Sequence, residues 1–253
     1  MRFYVLDMGA LRIADAADLL PLSHAAGITD VPIPAYLVVT NEGRHMLIDT
    51  GMPARFAGPP ETAAKRSPFG PATVPMLQDC QTIQSQLAAI GLRPQDIDDV
   101  ICTHLDWDHS GGNRLFTSAT FWLQAEHFLA ATSMSRDRYD EGDWRPAGMR
   151  CHLVSGREVV SPGVELIPTP GHAQGHQSVL VILSRRPMLI CGDAIASREK
   201  LAAGHWADQE DPNAAAASAE ALGKEARIRG ARLLFGHDPG QARRLHHAPR
   251  FYA

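Results

Sequence analysis

The chain has 253 residues, 45% hydrophobic and 21% charged, with 28 acidic against 24 basic side chains and a formal charge of −4. This composition is globular and excludes disorder for most of the chain, while a negative balance with no run of Lys or Arg excludes the electrostatic footprint of a nucleic-acid binder. No apolar stretch approaches the ~20 residues that span a bilayer, and the opening MRFYVLDMGALRIADAADLL carries Asp7, Asp15 and Asp18 inside its apolar part, unlike a secretory leader.

Taken in chain order, FYVLDMGALRI predicts a strand, a turn and a second short strand. AYLVVT (35–40), the polar turn NEGR and HMLIDTG (45–51) predict a hairpin. Residues 52–75 are rich in Pro and Gly, an excursion of the length that in a compact domain usually carries function or is mobile. Ile83, Leu87 and Ile90 give residues 81–91 helical spacing, stopped by Gly91. DVICTH (99–104) predicts a strand running into a Gly-Gly loop, followed by a short strand FWLQ (121–124), a short helix at 125–132 and a polar excursion at 131–150. VELIPTP, HQSVLVIL and PMLICGD predict strands, and 195–212 is a third excursion. Residues 213–229 give the longest helix signal, Ala-rich and capped by Asn213, before a last core strand in LLFGH (233–237). Runs of strands with one or two helices in each half predict an α/β fold of two mixed sheets packed together with helices outside, a four-layer αββα sandwich. With no boundary or linker, residues 1–253 read as one domain. Cys80, Cys102, Cys151 and Cys191 are scattered, with no C-x-x-C, and together with the opening residues they set a cytoplasmic expectation.

The segment THLDWDHSGGN places His104, Asp106, Asp108 and His109 within six residues. Alternation along a strand would project 104, 106 and 108 to one side, and the turn after it would aim His109 at a neighbouring site. Ser110-Gly111-Gly112 then lets the backbone turn tightly. Three later points repeat the pattern of a polar residue ending an apolar strand: TPGH (169–172) after VELIP, GD (192–193) after MLIC and GH (236–237) after LLF. Each would deliver one side chain, His172, Asp193 and His237, to a common rim. A set of carboxylates and imidazoles suits borderline metals such as zinc.

In this order, LIDTG, H-x-(H)-x-D-H-x-G-G, TPGH, GD and a late GH resemble the metallo-β-lactamase superfamily over essentially the whole chain. The spacing is similar to its N-acyl homoserine lactonase and 4-pyridoxolactonase branch. The resemblance implies the αββα sandwich with two divalent metal ions on the rim between the sheets. It implies a first ion held by His104, His172 and residue 106, a second held by Asp108, His109 and His237, and Asp193 bridging both. Where the family has His, this chain has Asp106, a harder anionic donor that shifts preference toward Mn or Fe, although zinc is still expected first and iron or manganese next. Flavin-linked diiron oxygen reductases of the superfamily carry a carboxylate there too, beside a flavodoxin-like domain for which this chain has no room. Homoserine lactonases place a Tyr three residues after the bridging Asp, where this chain has Ala196.

The implied activity is a lactonase, quorum-quenching where the lactone is an N-acyl homoserine lactone. A hydroxide bridging two cations forms at neutral pH and opens the ring ester, one metal polarising the carbonyl. Asp108 would orient the hydroxide and carry its proton to the leaving alkoxide. Alternatives are hydrolysis of another ester, a thioester or a phosphotriester on the same site, a diiron-type redox enzyme, and a binding module without catalysis. Substrate contacts are unassigned. Phe56, Phe69, Trp144 and Trp206 lie in the excursions, where they line the mouth or pin the loops, and Arg198, Lys200 or His205 is a candidate to replace the Tyr or bind a carboxylate. Trp107 is expected to pack beneath the site, His176 to stay out of the ligand set, and Asp49, Thr103 and Thr169 to hydrogen-bond behind the ligands. The expected partner is a small-molecule substrate, with neither nucleic acid nor membrane, on a monomer or homodimer.

Overall fold

Alternating burial in the strands sets the layers of the computed structural model, which describes residues 1–23, 28–65, 67, 72–133 and 139–253. Strand β1 (Arg2–Ile13) turns Phe3 and Val5 into one apolar cluster and Tyr4 and Leu6 into another on its opposite face. β2 (Thr29–Val39) and β3 (His45–Ile48) do the same, with Tyr36, Val38, Met46 and Ile48 on one side and Leu37 and Leu47 on the other. A sheet buried on both faces needs such near-continuous apolar runs.

The larger sheet has the order β4 (Thr73–Met76), β1, β2, β3, β5 (Asp99–Ile101), β6 (Thr120–Gln124), β7 (Arg150–Val154). It is antiparallel from β4 to β3 and parallel from β3 to β7. The smaller sheet runs β12 (Arg232–Phe235), β11 (Met188–Gly192), β10 (Gln177–Val181), β9 (Val164–Pro168), β8 (Glu158–Ser161), with only β11 and β12 parallel. Between the sheets, Phe3, Val5, Tyr36 and Ile48 meet Leu166, Val179, Val181 and Ile190.

Helices α1 (Pro60–Ala64), α2 (Ile83–Ala88), α3 (Trp107–Ser110), α4 (Ala125–Ser133) and α5 (Glu141–Trp144) pack apolar side chains into the outer cluster of the larger sheet. On the smaller sheet, α6 (Arg198–Ala203) and α7 (Pro212–Arg229) cover Leu180, Leu189 and Cys191, with Ala219, Leu222 and Ala226 facing inward, and α8 (Pro239–Ala242) follows β12. The order of layers is helix, sheet, sheet, helix, as the strand runs predict. No described helix is long and apolar enough to cross a membrane.

Several local expectations are corrected. The two N-terminal strand pieces are one strand whose register shifts between Asp7 and Ala10. Helix α7 is capped by Asp211 rather than Asn213: Asp211 Oδ1 accepts from the backbone N–H of Asn213 and Ala214, both at 3.0 Å. Pro212, lacking an N–H, takes the first helical position and moves the cap one residue upstream of it. Strand β4 closes the 52–75 excursion, beginning within it at Thr73, as an edge strand that tolerates Pro75.

Candidate metal centre

Strand β5 ends at Ile101, three residues before the expected end at His104. Beyond it the backbone bonds elsewhere: the Thr103 N–H donates to Asp49 Oδ1 (2.7 Å), and the Thr103 carbonyl accepts from the Gln177 N–H of β10 (2.9 Å), tying the strand end to the other sheet. Helix α3 then begins directly after Asp106, so Asp108 and His109 project from a helical turn and not from the alternating face of a strand. The turn still brings all four side chains to the rim, where His172, Asp193 and His237 arrive from the smaller sheet.

Three overlapping groups result, His104–Asp106–His172, His104–His109–Asp193 and Asp108–His109–His237, each with its candidate ligand atoms within 4.8 Å of one another. Asp106 Oδ2 lies 3.5 Å from His104 Nε2 and 3.2 Å from His172 Nε2. Asp108 Oδ2 lies 3.8 Å from the Nε2 of both His109 and His237. Asp193 stands between: its Oδ2 is 3.5 Å from His172 and 4.0 Å from His104, and its Oδ1 is 3.4 Å from His109 and 3.1 Å from His237. His237 Nε2 also lies 3.2 Å from Oδ2 of that carboxylate.

The other ring nitrogens fix the tautomers. The Thr103 hydroxyl donates to Asp49 Oδ2 (2.7 Å), so its oxygen accepts from His104 Nδ1 (3.0 Å). The same Asp49 oxygen accepts from His109 Nδ1 (2.9 Å), and the Pro32 carbonyl accepts from His237 Nδ1 (2.9 Å). Protons committed at Nδ1 leave three Nε2 lone pairs facing the rim. Those of His109 and His237 stand 3.4 Å apart, close enough to share a proton or a cation, and His104 Nε2 is buried without a hydrogen-bond partner. Buried polar atoms are normally satisfied. Inward imidazoles interleaved with three carboxylates therefore fit divalent metal ions, and zinc, iron and manganese all accept this donor set.

The charges agree. Burial alone would depress the His109 imidazole, but Asp193, Asp108 and Asp49 outweigh it and hold it well above its usual value. Burial likewise opposes the shift at His237, which Asp193 raises. Asp193 is held well below the carboxylate range because His237, His109 and His172 outweigh its burial. Burial and neighbouring imidazoles keep His104 and His176 low.

Close packing fixes the position of Asp193. Gly192 has φ +53°, and a Cβ there would stand 2.8 Å from His176 Nε2; a Cβ on Gly236 would stand 2.5 Å from Asp193 Oδ1. His176, outside the three groups, accepts from the Asp193 N–H (3.2 Å) and bonds Thr169 Oγ1 through Nδ1 (2.9 Å). Thr169 thus acts on His176 and not on a candidate ligand, whereas Asp49 and Thr103 reach His104 and His109 directly. Trp107 is buried and packs on Phe56, ring centroids 5.2 Å apart, beneath the rim.

The residues weighed for substrate are committed elsewhere. Lys200 is fully buried and paired with Asp208; Arg198 lies over the Phe235 ring; His205 Nε2 meets Asp18 at 3.0 Å. Ala196 is buried, its carbonyl accepting from the His237 N–H (2.7 Å). Phe56 and Trp144 are buried in the outer core and Trp206 packs against that of the smaller sheet, so they pin the loops; Phe69 lies outside the described residues. Not anticipated from sequence is His127, whose only signal was a histidine opening a helix directly after a strand.

Residues 28–237 match the metallo-beta-lactamase superfamily. The chain is 28% identical over 272 residues to the N-acyl homoserine lactonase AttM of Rhizobium radiobacter, covering 100% of this chain and 99% of that protein. It is 30% identical over 229 residues to an N-acyl homoserine lactonase of a Bacillus sp, covering 85% of each. Among solved structures it is similar to an N-acyl homoserine lactone hydrolase with the product N-hexanoyl-L-homoserine bound at the catalytic metal centre. That match has a TM-score of 0.88 at 26% identity, over 99% of this chain and 98% of the other.

Proposed function

The chain belongs to the metallo-beta-lactamase superfamily, and from that premise we propose that it is a two-metal hydrolase opening the ring ester of a small lactone, an N-acyl homoserine lactone or a close relative. The observation that carries this reading is Asp193, which presents one carboxylate oxygen toward each of two histidine-and-aspartate groups, in a chain similar over its length to N-acyl homoserine lactonases. His104, Asp106 and His172 would hold one ion, Asp108, His109 and His237 the other, and Asp193 both. Divalent ions there, zinc first and iron or manganese next, would supply a water nucleophile at neutral pH and positive charge for the carbonyl oxygen.

The side chains do the rest. Water oxygen bonds to the ring carbonyl carbon, the ring C–O bond breaks, and a proton from the water ends on the leaving alkoxide. Asp108 carries that proton, since its Oδ2 reaches His109 and His237 while remaining close to the rim. Asp49, through Thr103 and His109, keeps the imidazoles from rotating. Trp107 and Phe56 keep water from beneath the site. The protein would act on a small molecule in the cytoplasm, as one domain, in a monomer or homodimer.

The test is proton release from a panel of lactones in weakly buffered indicator, with and without a chelator: homoserine lactones of short and long acyl chain, plain γ- and δ-lactones, and fused aromatic lactones. Acid production that the chelator abolishes supports the reading, and metal-replete protein inert toward the whole panel overturns it. Asp106 favours one second reading, redox chemistry at iron, and there the purified protein would carry iron with a visible chromophore in place of colourless zinc.

A further inference from the structure

We propose that His127 is a positioning residue for one of the two metal subsites, a clip that sets the distance between the loop bearing His104 and Asp106 and the loop bearing His172. The inference rests on the two-metal reading. His127 lies in the first turn of α4 and is buried. Its Nε2 accepts from the Leu105 N–H (2.9 Å) and its Nδ1 donates to the Gln174 carbonyl (2.6 Å). Leu105 sits between His104 and Asp106, and Gln174 is two residues beyond His172. One ring thus spans two loops that hang from different sheets, one after β5 and the other between β9 and β10.

The two partners also define the ring's state. A backbone N–H must meet a lone pair and a carbonyl must meet a proton, so His127 is a neutral imidazole in a single tautomer. The backbone bond from Gln177 to Thr103 joins the loops on the strand side of the candidate ligands, and His127 joins them again at Leu105 and Gln174. His109 and His237 of the other subsite are oriented through Asp49 and the Pro32 carbonyl instead. The geometry therefore assigns His127 to the His104–Asp106–His172 group, and its removal is expected to weaken one metal equivalent and spare the other. A glutamine can keep both bonds, its amide oxygen accepting from Leu105 and its amide nitrogen donating to Gln174.

The experiment is zinc titration of wild type, His127→Ala and His127→Gln against a chromophoric chelator, with cobalt(II) absorption as a second readout of the ligand geometry. Removing a side chain that orients ligands typically costs about 10–100-fold in metal affinity. Wild type is expected to bind two equivalents, His127→Ala to lose that factor on one equivalent alone with an altered cobalt spectrum, and His127→Gln to recover most of it. The inference is overturned if His127→Ala holds both equivalents as wild type does, if both weaken together, or if His127→Gln is as weak as His127→Ala. The last outcome would mean that the ring only fills space. Wild type that takes up fewer than two equivalents would overturn the two-metal reading itself.

Discussion

Asp49 occupies the left-handed region at φ 58°, alone among the described non-glycine residues, and from there one carboxylate orients two imidazoles. Short polar side chains tolerate that conformation, which bulky ones do not. Asp108 differs in kind, since it lies 3.8 Å from two ring nitrogens at the rim and, in the proposed function, carries a proton. Asp108→Asn keeps an oxygen donor and loses the base. It is expected to retain most of its metal while kcat falls about 100-fold or more, the usual range for a general base. Metal analysis alongside single-substrate kinetics checks this, and an unchanged rate would remove Asp108 from the chemistry. The candidate ligands and Asp49 were legible from local signals: Asp49, His172, Asp193 and His237 each follow an apolar run, and His104, Asp106, Asp108 and His109 crowd into six residues before Gly-Gly. His127 was not, because its bonding partners are distant in sequence, Leu105 by 22 positions and Gln174 by 47. Lys200 was not, because a lysine in an excursion reads as exposed, whereas this one turns inward to Asp208.

At the level of elements, strands buried on both faces and the long helix were readable, since burial writes itself into an apolar run or a period of 3.6. Strands β4, β7 and β8 escaped because they are short, and β7, with an exposed Arg150, His152 and Leu153, has no consistent apolar face. The end of β5 escaped for another reason: its alternation continues in sequence through His104, but the Asp49 side chain and Gln177 replace the neighbouring strand as partners. Helix α7 is held by a stripe of small residues around one large one, Leu222, which is fully buried against the smaller sheet. Leu222→Ala is expected to cost about 2–5 kcal/mol, seen as a lower denaturant midpoint at unchanged slope, with the metal content intact.

On the scale of the whole molecule, the four layers follow from two sheets that each need covering on both faces, and this much the alternating and continuous apolar runs announce. The pairing of the sheets was legible; the way they meet at the rim, through Thr103 and Gln177, was not. Because the candidate ligands come from both sheets, ions bound there stabilise only the assembled fold. Binding at a thousand times the dissociation constant is worth about 4 kcal/mol. Chelation is therefore expected to lower the melting temperature and re-addition of zinc to restore it, and a melting curve indifferent to both would argue against a metal held between the sheets.

The division of the chain has a further consequence. All strands up to Val154 build the larger sheet and all from Glu158 onward build the smaller one. His104, Asp106, Asp108 and His109 lie before that point, with His172, Asp193 and His237 after it. A peptide bond cut between Val154 and Glu158 would leave two fragments, each carrying an incomplete half of the cage. Under the proposed function, cations held there would bolt the reunited fragments across the cut, so their complementation is expected to depend on metal.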